Sequence, residues 1–151
     1  MRKIIFIIFS VIILGFIGRC IYMVACVSCT IPHIKDYEYA GRLTKFESGL
    51  HNQIHDHKDI SFKNMDTVGD KDTGYAYDIN IQFKDSLLYN LRYEAISNNK
   101  IVIGLIGALD LKTNKGGYGI KADGMNELLK EFDRRVLRPL KDEQHIELKA
   151  K

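Results

Sequence analysis

The chain has 151 residues, 22 of them basic and 19 acidic, with no tryptophan, two prolines and three cysteines. That length accommodates a single domain. Three of the basic residues, Arg2, Lys3 and Arg19, carry the whole net charge of +3, so the rest is formally neutral and lacks the positive surplus that drives counterion release, which argues against nucleic-acid binding.

The first 31 residues predict a membrane address. Met1-Arg2-Lys3 precedes the uncharged run 4–18, Arg19 interrupts, and residues 21–31 are again uncharged. Basic residues ahead of an apolar run match a secretory signal or a signal anchor. The run 4–18 is shorter than the ~20 residues that span a bilayer. Extension to Cys26 reaches that length with Arg19 near the end, where its side chain can snorkel to the interface. Arg2 and Lys3 favour an N-inside orientation with the body extracytoplasmic, periplasmic or on the cell surface. The preferred reading is an uncleaved anchor. The second is a lipoprotein. Met23-Val24-Ala25-Cys26 resembles a bacterial lipobox, although Met23 stands where leucine is usual. Cys26-Val27-Ser28-Cys29 offers a weaker site, so Cys26 and Cys29 are the lipidation candidates. Cleavage of an ordinary signal peptide ranks third, because no clean Ala-x-Ala site is present. Cys26 and Cys29 have Cys-x-x-Cys spacing, but with no second pair a metal or redox role is disfavoured.

Residues 32–36 read as an exit linker. Tyr39, Leu43, Phe46, Leu50 and Ile54 then recur at helical spacing, weakened by Gly41 and Gly49. A first strand is expected over 60–68, and residues 69–74 form a turn by composition. Tyr75, Tyr77, Ile79, Ile81 and Phe83 alternate with Ala76, Asp78, Asn80 and Gln82, a strand with one buried and one wet face. Lys84-Asp85-Ser86 turns the chain into a second alternating strand, in which Leu87, Tyr89, Leu91 and Tyr93 are buried. A three-residue loop sets Ile81 opposite Tyr89, Ile79 opposite Leu91, Tyr77 opposite Tyr93, Asp78 opposite Arg92 and Asn80 opposite Asn90. The facing opposite charges favour that register.

Residues 97–100 turn again. The stretch 101–109 is apolar on both parities and reads as a central strand, with Gly104 and Gly107 marking a bulge or close contact. A last short strand is expected over 118–122. Asp123 is the expected N-cap of a final amphipathic helix that Pro139 should end near Arg138. The predicted organisation is a 1–31 signal or anchor, a 32–36 linker, one α+β domain over 37–140 and a charged, frayed tail over 141–151. The domain is a helix, a four- to five-stranded antiparallel meander and a C-terminal helix in two layers.

Two groups are candidate sites. Asp78, Asn80, Gln82, Asn90, Arg92 and Glu94 form the wet face of the hairpin and are candidates for protein contact; wet sheet faces of this kind are also common without any ligand. His51, His55, Asp56 and His57 are the densest set of potential metal ligands, since His51 and His55 share a helix face. Asn52 stands where a His-Glu-x-x-His protease needs glutamate, and a solvated helix end explains the same residues. Gly116-Gly117-Tyr118-Gly119 precedes a strand and has no Lys-Ser/Thr partner, so it reads as a turn and not a phosphate loop. No nucleophile elbow is present and the body has no cysteine.

The leading expectation is a membrane-anchored extracytoplasmic domain that works by protein binding, immunity-like or in envelope assembly, without a cofactor. Its partners would be the membrane, through residues 1–31, and a protein. The alternatives are a zinc-dependent hydrolase built on His51 and His55, and a structural envelope lipoprotein.

Overall fold

The structure, a computed structural model, describes residues 32–70 and 74–151. The anchor, cleavage and lipidation readings, including those at Cys26 and Cys29, therefore fall outside the described residues. Pro32–Lys151 forms one compact unit. Its strands are β1 (Lys35–Tyr39), β2 (Ile60–Asp70), β3 (Gly74–Phe83), β4 (Leu87–Ser97), β5 (Lys100–Asp110), β6 (Lys115–Gly117) and β7 (Lys149–Ala150). The helices are α1 (Leu43–Asp56), α2 (Met125–Phe132) and α3 (Arg138–Asp142), the last two joined by a π turn over Asp133–Leu137. The seven strands make one antiparallel sheet in the order β2-β3-β4-β5-β1-β7, with β6 paired to β5. The fold is α+β.

The β3–β4 hairpin has the expected register, from Ala76 opposite Glu94 to Gln82 opposite Leu88. Its loop closes with the Ser86 N–H donating to the Phe83 carbonyl at 3.0 Å. Ser86 takes a left-handed φ of 81°, as the last position of a three-residue hairpin loop requires. With the register fixed, period-two alternation sends Ile79, Ile81, Phe83, Leu87, Tyr89, Leu91 and Tyr93 into the core. Phe46 and Leu50 from α1, and Met125, Leu128, Phe132, Val136 and Leu140 from the C-terminal helical segment, join the same core. Both helical segments thus lie on one side of the sheet.

The sheet is larger than the expected meander because two segments read as irregular are strands. Lys35–Tyr39 was expected as linker and helix start; it is β1, paired to β5 with Tyr37 opposite Ile103 and Tyr39 opposite Ile101. Tyr37 and Tyr39 point inward together, which a strand achieves at a spacing of two. Residues 141–151 are not a frayed tail: Ile146 is fully buried and Lys149–Ala150 pairs with β1 as β7. Lys151 and Lys100 both bind Glu38 at 3.0 Å. Their hydrogen bonds, Lys151 first, hold the Glu38 carboxyl below its ordinary value. Gly49 explains how the C-terminal segment seats: it lies under Ile146, and a Cβ there would collide with Ile146 Cδ1.

The last strand and the final helix also depart from expectation. The short strand is Lys115–Gly117, not 118–122; that stretch is a turn, closed by the Ala122 N–H donating to the Gly119 carbonyl at 3.0 Å. The N-cap is Gly124 at φ 73°, with no side-chain cap, because Asp123 turns its carbonyl to the Gly116 N–H at 2.8 Å. Pro139 does not end the helix. In an α-helix the Arg135 carbonyl would accept the N–H that Pro139 lacks, and the ring would crowd it. The π turn relaxes the spacing, with the Arg138 N–H reaching back to Asp133. Gln53, only 3% exposed on α1, donates its Nε2–H to the Arg135 carbonyl at 2.9 Å. The helix therefore runs on to Asp142.

Candidate functional site

The hairpin register brings all six wet-face residues to the outer side of the sheet, away from the helices. Asp78 and Arg92 form a two-pronged ion pair, Arg92 Nε to Asp78 Oδ1 and Arg92 Nη2 to Asp78 Oδ2, each 2.7 Å, with both side chains mostly shielded from solvent. The pair is self-neutralising. Next to it, the Asn90 amide donates to Asn80 Oδ1. Gln82 and Glu94 are exposed.

Asn90 differs from the other five. It is 7% exposed, and its Oδ1 is buried with no hydrogen-bond partner among the described residues. Gly107 faces it across β4–β5, where a Cβ would sit 2.8 Å from Asn90 Oδ1 and 2.9 Å from the Tyr118 ring. Glycine is thus needed for Tyr118 to lie over this part of the sheet. A bulge between Asn90 and Leu91 passes the β5 register over Ile106. Leu88 and Leu109 pair on the same outer face and are half-buried. Tyr118 and Ile120, in the turn after β6, are 53% and 62% exposed. Sequence reading placed both in a strand and missed their exposure, because a glycine-rich turn has no periodicity to read.

The histidine group does not converge. His51 is exposed on α1, His55 faces solvent with Nδ1 3.4 Å from Asp56 Oδ1, and His57 Nε2 meets Glu143 Oε2 at 3.3 Å. Among the described residues no three His, Cys, Asp or Glu side chains are arranged to hold a metal ion. His57 has left the helix as its C-cap, with extended backbone.

A groove of about 410 Å³ opens instead between α1 and the sheet, lined by Glu47, Leu50, His51, Asn52, Phe62 and Tyr93 among others. The Tyr93 hydroxyl donates to Glu47 Oε1 at 3.1 Å. Burial first, and the Glu47 carboxylate second, push the Tyr93 hydroxyl above its ordinary value. The Tyr93 ring stacks on Tyr77 at 5.2 Å and takes the Phe46 ring edge-on at 5.3 Å. Glu47 and His51 are four apart, so a shared helix face was legible. The strand residues across the groove were not. A second groove, about 330 Å³, includes Arg134 and Arg135, but these are bound to Glu131 and Asp85.

Among the described residues no helix is long and apolar enough to cross a membrane. No protein-family model matches the chain, and no curated protein or solved structure matches it.

Proposed function

We propose that the chain is a membrane-tethered, extracytoplasmic domain that works by binding a protein. The contact surface is the outer sheet face around Asp78, Asn80, Gln82, Asn90, Arg92 and Glu94. Residues 1–31 supply the tether, on the strength of their basic start and apolar run. One observation carries the reading. On a face that no helix of the described residues covers, the two central charges neutralise each other, leaving amides beside the half-buried Leu88 and Leu109 and the exposed Tyr118. Depletion of free charge at the centre, an aromatic residue beside it and a polar margin match the anatomy of protein interfaces.

The test follows from the ion pair. Arg92→Glu alone would set two carboxylates across β3–β4 and confound folding with binding. The exchange Asp78→Arg with Arg92→Glu keeps the pair and inverts the pattern presented to a partner. The exchanged full chain should keep the wild-type circular-dichroism melt but migrate free of partner when native complexes are extracted from membranes. Retention of the native complex by the exchanged chain would remove this face as the contact.

A further inference from the structure

We propose that the groove between α1 and the sheet is a second, independent binding site, and that it takes the ammonium head of a small alkyl amine. Three features define that ligand. The groove, at about 410 Å³, is within the size range of small-molecule sites. Among the described residues Glu47 is the one carboxylate that lines it, in no ion pair there, and the Tyr93 hydroxyl donates to it. Phe62 supplies a partly exposed aromatic ring, Tyr93 its hydroxyl, the ring itself being packed between Tyr77 and Phe46, and Leu50 an apolar base.

A carboxylate beside an aromatic ring attracts a cation twice, through charge and through the ring quadrupole. The apolar base suits a short aliphatic stem. Among the described residues no lysine or arginine lines the groove, and His51 is its one basic side chain. A neutral ligand of the same shape would gain the stem contact but leave Glu47 unanswered. The site lies on the helix side of the sheet, opposite the face proposed for protein contact, so each can be tested without the other.

The experiment uses the full chain in an uncharged maltoside detergent, because choline-headed detergents would compete. The probe is n-butylammonium chloride, with 1-butanol as the neutral isostere. The readout is side-chain NMR of Phe62, Tyr93 and Leu50. Butylammonium should shift these resonances saturably, with Kd on the order of 1 mM for so small a ligand. Glu47→Gln still accepts the Tyr93 hydrogen bond, so the groove keeps its shape, yet it should weaken binding at least tenfold. Tyr93→Phe, which keeps the ring, should weaken it only a few-fold. Equal shifts from 1-butanol, wild-type affinity in Glu47→Gln, or no saturable shift at about ten times the expected Kd would each overturn the proposal.

Discussion

Gln53 shows how one residue can decide the course of a helix 82 positions away in sequence. Its amide serves the carbonyl that Pro139 cannot, and the helix continues through what would otherwise be a stop. Gln53→Leu keeps the volume and removes the donor. Leaving a shielded carbonyl unmet costs about 1–2 kcal/mol. Urea denaturation of the full chain should show a midpoint shift of that size with an unchanged slope; an unshifted midpoint would mean that water serves the carbonyl equally well. None of this was legible in the sequence. Gln53 lies just off the apolar stripe of α1, and a glutamine there looks like any exposed polar residue. Asn90 was legible only in part: its side of the strand followed from alternation, but its burial depends on Gly107 and Tyr118, which a bulge and an aperiodic turn bring over it.

At the scale of elements, the hairpin was the most legible part. Long alternation, a three-residue loop and a pair of opposite charges all point to one register, and the observed ladder has it. β1 was misread because Tyr39 fits two periods at once, the last residue of a strand and the first of the helical stripe in α1. What decides is the free edge of β5, which pairs with Lys35–Tyr39. β1 is also where pH should act. Burial, with Asp133 adding to it, pushes the Tyr37 hydroxyl up to about 12. An unfolded tyrosine ionises near pH 10, so the stabilisation from protonated Tyr37 is full below about pH 10 and is lost as pH rises towards the folded value. Burial raises the Tyr89 hydroxyl as well, so the two act in the same direction. In an alkaline titration, tyrosinate absorbance from these buried residues should appear together with loss of the circular-dichroism signal, and Tyr37→Phe should move that transition to higher pH. Tyrosinate absorbance rising to its full extent with the fold intact would contradict the assignment.

For the molecule as a whole, the two-layer α+β class was legible and the strand count was not. β6 and β7 are too short to show alternation, and the C-terminal residues look like a solvated tail until Ile146 is seen in the core. Whether the three histidines share a face is not set by spacing alone, because His57 lies just past the helix end, where the backbone turns extended. The functional account rests on the division between the two sides of the sheet. One side carries the helices, and the other presents the self-neutralising Asp78–Arg92 pair beside the half-buried Leu88 and Leu109.

Photo-cross-linking in native membranes tests that division most directly. A benzophenone amino acid would be placed at Gln82 or Glu94 on the outer face, and at Asn126 or Lys130 on the helix side, all exposed positions. The account predicts a protein adduct of one discrete mass from Gln82 and Glu94 and none from Asn126 or Lys130. The same adduct from the helix positions, or no adduct from any of the four, would contradict it.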